Sequence, residues 1–287
     1  MASFTRDSID GSITIDFKKR GRTGDAVFLI HGLGMEKGGW GFQTGPISKA
    51  GFTVYTHDVK GFGKSTKTEF LDNEQKGFNF YSAENDAADL IALMDHLNVE
   101  KAHLVGVSMG GIITQVTTIL YPERIISATI ANSFSFLHAR FKIILEAWIK
   151  AVDNLSIEDF FDTLLPWLMG EKTFKRPNIE KIIEESKKIF IEANTNWCFS
   201  NKLKGGILEF PKYDERIKEI KCPVLLMGGV DDILSPPKYQ EYTKSQIPHA
   251  EMSVIPDVGH MLIVENSRAF NRTVIDFLKR NSIEKVE

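Results

Sequence analysis

The sequence predicts an α/β fold, with a mostly parallel sheet, helices on both faces of that sheet, and an inserted helical cap. Short and continuously apolar segments such as residues 26–30 alternate with segments of helical periodicity, an order typical of parallel strands joined by helices. The alternation stops after residue 133, and residues 134–214 show only helical periodicity with many aromatic side chains. We therefore predict a core formed by residues 1–133 and 215–287 and a cap formed by residues 134–214.

The first elements of the core include one strand with a polar face and one without. Residues 12–18 alternate polar and apolar side chains, which predicts an edge strand, whereas residues 26–30 are apolar throughout and indicate a central strand. The turn His31-Gly32-Leu33-Gly34 follows directly. The further core elements predicted are, in order, a helix at 43–50, a strand at 53–57, a helix at 82–97, a strand at 102–105, a helix at 112–121, a strand at 125–132, a strand at 223–227, a helix after Pro237, a strand at 251–255 and a helix at 267–279.

The composition of the chain narrows the possible functions. It has 287 residues, 43% hydrophobic and 25% charged, and a net charge of -3 with both signs interspersed, so it lacks the basic surface that nucleic acids require. No run of about 18 apolar residues could span a membrane, and two cysteines, Cys198 and Cys222, are too few for a disulfide framework or a zinc site. We predict a cytoplasmic protein that acts on a small molecule without a metal or cofactor. The sequence leaves the oligomeric state open.

Ser108 is the candidate nucleophile of a hydrolase. It lies in Gly106-Val107-Ser108-Met109-Gly110, between residues 102–105, which suit a short buried strand, and residues 112–121, which suit a helix ended by Pro122. A serine exposed at a tight strand-to-helix turn leaves little room for neighbouring side chains, and glycine has none. Because the pattern alone is common by chance, the prediction depends on this strand and helix context.

Five motifs together resemble those of α/β-hydrolases of the esterase and lactonase type. They are Gly106-Val-Ser108-Met-Gly110, His31-Gly32, the run of Asp58, Gly61, Gly63 and Ser65, the run of Gly229, Asp231, Asp232 and Pro236, and Gly259-His260. The resemblance extends over most of the chain outside residues 134–214, and it implies a nucleophile, an acid and a histidine in the chain order Ser108, Asp232 and His260. Relatives that displace halide ions carry an aspartate at the position of Ser108, so we exclude that chemistry.

The three residues implied by the resemblance divide the chemistry among them. A serine hydroxyl is too weakly acidic to attack an ester unaided, so we predict that His260 takes its proton and returns it to the leaving group, while a carboxylate fixes the imidazole tautomer. Two neighbouring acids could supply that carboxylate. The family places it four residues before the proline of the motif, which selects Asp232 and leaves Asp231 as a helix cap or a water-facing loop residue.

By the same resemblance, the backbone N–H groups of Leu33 and Met109 form the oxyanion hole. Donors that are already oriented stabilise a developing negative charge best. Leu33 follows the His31-Gly32 pair, and Met109 follows the nucleophile. We predict a structural role for His31 itself.

The function that we predict first is a serine hydrolase that cleaves a carboxylic ester or a lactone through an acyl-enzyme intermediate. A hydrolase of carbon–carbon or amide bonds that uses the same three residues is the alternative. A non-catalytic ligand receptor is a third hypothesis, because the fold alone does not separate these classes.

Substrate-binding residues are predicted in the cap. Trp148, Trp167 and Trp197 lie in the aromatic-rich residues 134–214, and ligand pockets are lined mostly by apolar and aromatic side chains. We therefore expect these tryptophans to line an apolar pocket. The alternative is that the three rings only hold the cap helices together.

Overall fold

Eight strands form one sheet in the part of the chain that the computed structural model describes, namely residues 2–8, 11–70 and 74–283. The predicted core also includes residue 1, residues 9–10 and 71–73 and residues 284–287, which lie outside that part. The strands are β1 (Ala2–Ser8), β2 (Gly11–Arg20), β3 (Ala26–Ile30), β4 (Thr53–His57), β5 (Ala102–Val107), β6 (Ile125–Ala131), β7 (Val224–Gly229) and β8 (Glu251–Ile255).

The sheet is mostly parallel, as the sequence predicts. Its strand order is β1-β2-β4-β3-β5-β6-β7-β8. Strand β1 is antiparallel to β2, and β2 is antiparallel to β4. Each of the other neighbouring pairs is parallel.

The prediction that residues 12–18 form an edge strand is wrong. They belong to β2, and β1 pairs with this strand from Ala2 opposite Phe17 to Ser8 opposite Gly11. The polar residues that suggested a wet face include Asp16, which is buried and forms an ion pair with Lys37 at 2.6 Å. A polar residue in an alternating pattern can therefore be buried in an ion pair, as Asp16 is, and need not face water.

Strand β3 lies inside the sheet and is covered on both faces. Its side chains Phe28 and Ile30 belong to one hydrophobic core, and Val27 and Leu29 belong to the core on the other face. All four are fully buried. Because successive side chains of a strand point to opposite faces, a strand covered on both faces needs an unbroken apolar run.

Helices supply both covering layers. Ile47 and Phe270 lie in the same core as Val27, whereas Leu90 and Val116 lie in the other core. The α-helices are α1 (Gly41–Lys49), α2 (Glu74–Phe80), α3 (Ala83–His96), α4 (Met109–Leu120), α5 (Ala139–Asn154), α6 (Ile157–Leu168), α7 (Glu171–Phe174), α8 (Ile179–Ala193), α9 (Asn196–Asn201), α10 (Pro237–Gln246), α11 (Leu262–Glu265) and α12 (Ser267–Arg280).

The inserted helices lie between β6 and β7. Helices α5 to α9 are followed by a π-helix, Lys202–Leu208, and a 3-10 helix, Phe210–Glu219. The last of these continues past residue 214, so the boundary that we assign to the cap stays a proposal. No helix among the described residues is both long and apolar enough to cross a membrane.

Candidate active site

Ser108 lies at the turn between β5 and α4. Its φ of 54° and ψ of -118° place a non-glycine residue at positive φ, which is rare and is typical of functional sites. Neighbouring backbone leaves no room for side chains there. A Cβ on Gly106 would lie 2.1 Å from the carbonyl oxygen of Gly110, and a Cβ on Gly110 would lie 2.1 Å from that of Ile30. The two glycines of the motif therefore permit the sharp turn that presents Ser108.

The structure brings His260 between Ser108 and Asp232. The Nε2 atom of His260 lies 2.9 Å from Ser108 Oγ, and its Nδ1 atom lies 2.8 Å from Asp232 Oδ2. Because a carboxylate only accepts hydrogen bonds, we assign the ring proton to Nδ1, which leaves Nε2 to accept the Ser108 hydroxyl. Ser108 is partly exposed, whereas the other two residues are buried. This geometry can deprotonate the serine while a substrate reaches it.

Asp232 is an ionised carboxylate surrounded by donors. Its Oδ1 accepts from the backbone N–H groups of Leu234 at 2.9 Å and Ser235 at 2.8 Å. Its Oδ2 accepts from Asn132 Nδ2 at 2.8 Å and Ser235 Oγ at 2.7 Å, in addition to His260. Burial on its own raises the pKa of Asp232, but the charge of His260 and these hydrogen bonds outweigh burial and lower the pKa to about 2.

Asp231, the other candidate acid, is exposed to solvent. Its backbone N–H donates to the carbonyl of Val258 at 2.9 Å. Asp232 is only 2% exposed. Of the two neighbouring acids, the structure brings Asp232 to His260.

The turn at His31 lies directly against Ser108. A Cβ on Gly32 would lie 3.3 Å from the Cβ of Ser108. His31 is fully buried; its Nδ1 donates to the carbonyl of Gly32 at 2.8 Å, and its Nε2 accepts from the backbone N–H of Val59 at 2.9 Å. Burial lowers the pKa of His31, which favours the neutral ring that can make both bonds. His31 therefore fixes the turn that precedes Leu33.

The two residues proposed for the oxyanion hole follow these two turns. Leu33 comes directly after Gly32, and Met109 is the first residue of α4. The first N–H groups of a helix have no acceptor within the helix, so the N–H of Met109 is available at the point where Ser108 is presented. Their role as oxyanion donors stays a proposal.

A sequence model of the α/β-hydrolase fold matches residues 25–267 of the chain. The chain belongs to this family. Among curated relatives, it is 31% identical over 260 residues to a 2-hydroxy-6-oxononadienedioate/2-hydroxy-6-oxononatrienedioate hydrolase of Comamonas testosteroni, covering 89% of this chain and 88% of the relative. It is 29% identical to a 2-hydroxy-6-oxo-6-phenylhexa-2,4-dienoate hydrolase of Burkholderia cepacia, with the same coverage of both chains.

Solved structures of other α/β-hydrolases share the whole fold. A thermophilic esterase from Thermogutta terrifontis superposes with a TM-score of 0.84 at 24% identity, covering 98% of this chain and 99% of that one. The enol-lactonase of Burkholderia xenovorans LB400 gives a TM-score of 0.81 at 20% identity, covering 93% and 96%. At these identities the likeness concerns the fold alone.

The three tryptophans predicted to line the pocket of this α/β-hydrolase pack in or against the larger hydrophobic core. Trp148 is buried in the larger core, and Trp167 and Trp197 are partly buried against it. The ring of Trp197 lies 6.3 Å from that of Tyr81. A substrate-binding role for the three residues stays a prediction.

Two phenylalanines of the insertion, which the sequence analysis did not single out, contact the turn at residues 31–34. A Cβ on Gly34 would lie 2.7 Å from Phe190 Cε2 and 3.0 Å from Phe199 Cε2. Asn194 also donates from Nδ2 to the carbonyl of Gly34 at 2.9 Å. The insertion therefore packs on the turn that leads to Leu33. Nothing in the sequence separates these two rings from the other aromatic residues nearby.

Asn132 and Ser235 were also missed, although both contact Asp232. Asn132 directly follows β6 and has a φ of 43°; its Nδ2 also donates to the carbonyl of Gly259 at 3.2 Å. A polar residue directly after a buried parallel strand is a usable signal, because sites in such folds collect at the carboxyl ends of strands. Within the described residues, no group of three or more His, Cys, Asp or Glu side chains could hold a metal ion.

Proposed function

We propose that the protein is a serine hydrolase that breaks the carbon–carbon bond beside a ketone in a conjugated 2-hydroxy-6-oxo acid. The observation that carries this proposal is the 31% identity, over 89% of the chain, to a relative named for such a substrate. The sequence motifs favoured an ester or a lactone and kept carbon–carbon cleavage as the alternative. The curated relatives support that alternative better.

In the proposed reaction, Ser108 Oγ attacks the ketone carbon and His260 Nε2 takes the hydroxyl proton. Asp232 stabilises the imidazolium that results, and the N–H groups of Leu33 and Met109 hold the oxyanion. The distances of 2.9 Å and 2.8 Å on the two sides of the imidazole support these roles. They lie within the range that proton transfer requires.

The leaving group distinguishes this reaction from ester cleavage. When the bond breaks, its electron pair stays on carbon rather than on oxygen, and His260 returns the proton to that carbon. Water then attacks the acyl group on Ser108 by the same route and releases an acid. A carbanion leaves only if its charge can spread, and the vinylic carbon beside the ketone of the dienol cannot spread it. The 2-hydroxy diene must therefore first tautomerise to a 2-oxo-3-ene, which moves the enol proton to that carbon. The electron pair left there on cleavage then spreads through the remaining double bond to the 2-oxo oxygen, so the conjugated chain is a chemical requirement of the proposal.

The test compares three substrates at matched concentrations of the enzyme. We expect 2-hydroxy-6-oxo-6-phenylhexa-2,4-dienoate to yield benzoate with a kcat/KM at least ~10-fold above that for 4-nitrophenyl acetate. The saturated ketone 6-oxo-6-phenylhexanoate is the chemical control, and we expect no cleavage of it because its leaving carbon has no conjugated path. Turnover of 4-nitrophenyl acetate without any benzoate from the dienoate would contradict the proposal and favour the ester hydrolase.

A further inference from the structure

Glu265 lies at the end of α11, and its side chain contacts the residues directly before and after His260. Its Oε1 accepts from the backbone N–H of Gly259 at 3.0 Å and from that of Met261 at 3.1 Å. These two residues directly precede and follow the histidine. One carboxylate oxygen therefore holds the backbone on both sides of the proposed base.

The second oxygen of Glu265 binds the inserted helices. Its Oε2 accepts from the backbone N–H of Gly170 at 2.8 Å and from Thr173 Oγ1 at 2.7 Å. Gly170 and Thr173 are buried. In addition, Arg176 donates to the backbone carbonyl of Glu265 at 2.8 Å. The side chain of Glu265 thus joins residues 170–173 to the loop that carries His260, and its backbone carbonyl adds Arg176.

Close backbone packing leaves this junction little freedom. A Cβ on Gly259 would lie 2.3 Å from the backbone nitrogen of Gly170, and a Cβ on Gly170 would lie 2.8 Å from that of Gly259. The N–H of Met261 also reaches the carbonyl of Leu168 at 3.0 Å. A movement of residues 168–173 would therefore be transmitted to the backbone next to His260.

We propose that Glu265 is a positioning residue that holds His260 in line with Ser108 and makes this alignment depend on the seating of residues 170–176. A glutamate side chain suits the position because each of its two oxygens can accept two hydrogen bonds, so it can satisfy four donors at once. This role rests on the proposed serine hydrolase function. It goes beyond that function because it assigns control of the base to the insertion.

Two variants distinguish the hydrogen bonds of Glu265 to the backbone beside His260 from its hydrogen bonds to the insertion. Glu265→Ala removes all four bonds. Glu265→Gln keeps one accepting oxygen, which we expect to face the N–H groups of Gly259 and Met261, because the hydroxyl of Thr173 can rotate to accept from an amide N–H. The glutamine variant should therefore keep the hydrogen bonds to the backbone beside His260 and weaken those to Gly170 and Thr173.

A matched control is available in the same two segments. Lys172 and Asp257 form an ion pair at 2.9 Å between α7 and the turn before Gly259, and both side chains are mostly exposed. Asp257→Asn breaks this pair, and asparagine tolerates the φ of 58° found there. It removes a link between the same segments without touching the N–H groups beside His260.

The measurement is the reaction of purified protein with an alkyl fluorophosphonate, which traps an activated serine whatever the natural substrate is. Mass spectrometry gives the labelled fraction, and the time course gives the rate constant. A purely structural loss lowers the labelled fraction, whereas a misaligned histidine lowers the rate constant. We expect Glu265→Ala to label completely but ~100-fold more slowly, as small misplacements of catalytic groups do. The rate constant of Glu265→Gln should lie between those of Glu265→Ala and the unmodified protein. That of Asp257→Asn should stay within about twofold of the unmodified protein.

The outcomes separate the two proposals. If the unmodified protein does not react at Ser108, the serine mechanism fails and the role of Glu265 fails with it. If it reacts and Glu265→Ala, fully labelled, reacts at the same rate, only the role of Glu265 is refuted. If Glu265→Ala does not fold, Glu265→Gln decides: complete labelling at an unchanged rate refutes the role, and complete labelling at a reduced rate supports it. An equal slowing by Asp257→Asn would also refute it.

Discussion

Asp232 and Asp231 are neighbours in sequence with opposite surroundings. Asp232 is buried beside His260 and accepts five hydrogen bonds, whereas Asp231 is exposed. The resemblance places the acid four residues before the proline, which selects Asp232, and the structure places this residue beside His260. The sequence did not indicate the donors that stabilise the chosen acid, because Asn132 is 100 positions away and reaches it only through the sheet.

We predict that Asp232→Asn lowers kcat far more than Asp231→Asn. An amide at position 232 no longer fixes the proton on His260 Nδ1, and in serine proteases that tautomer error costs roughly 10⁴-fold in kcat. Asp231→Asn should stay within about threefold, since exposed substitutions have small effects. Steady-state kinetics of both variants on one substrate makes the comparison, and similar losses in the two variants would refute the choice of acid.

At the scale of strands, the sheet carries a second Ser, His and Asp group near its opposite end. His103 in β5 contacts Ser127 in β6 at 2.7 Å and Asp25, the residue before β3, at 3.4 Å. All three are buried, with His103 and Ser127 fully inaccessible. Asp25 also accepts from Ser282 Oγ at 2.6 Å. The group therefore links β5, β6 and the residue before β3 to Ser282, which follows α12, and its burial keeps substrates away from it.

We predict that His103 makes stability depend on pH between about 6.5 and 4. Burial lowers the pKa of His103 to about 4, although Asp25 opposes this change. The unfolded chain, with a histidine pKa of about 6.5, binds more protons in that range, so the free energy of unfolding falls as the pH falls through it. The two pKa values correspond to a loss of about 3 kcal/mol. Urea titrations at pH 7 and pH 4.5 measure the difference.

We expect His103→Gln to remove about half of the combined loss, because burial also lowers the pKa of His57 to about 4 and His57 therefore contributes a loss of similar size. His249→Gln, at an exposed histidine, is the control and should keep the original dependence. If His103→Gln loses as much stability on acidification as the unmodified protein, His103 does not titrate in the predicted way.

Over the whole molecule, the sequence predicted the parts of the fold that depend on local pattern. An unbroken apolar run identified β3, and helical periodicity identified α3 and the inserted helices. Strand β1 was missed because residues 2–8 contain one large apolar side chain, Phe4, among polar ones. Its pairing with β2 is a tertiary contact, and such contacts outweigh local propensity in strands.

In the candidate site too, the parts that depend on local motifs could be predicted from the sequence, and the parts that depend on tertiary contacts could not. The resemblance selects Ser108, Asp232 and His260, and the structure brings the three together, because each lies at the end of a strand or in the loop that follows. The contacts of the insertion could not be predicted in this way, since they join residues far apart in sequence. Glu265 and Phe190 reach the site region from different elements, and no local pattern marks either of them.

The most direct test of the proposed mechanism is turnover by Ser108→Ala on whichever substrate the unmodified protein cleaves best. We expect a folded variant, with an unchanged circular dichroism spectrum and urea midpoint, whose kcat is reduced by roughly 10⁴-fold or more, because the attacking oxygen is gone. A folded Ser108→Ala variant that keeps kcat within ~10-fold of the unmodified protein would contradict catalysis by Ser108 and with it the proposed function.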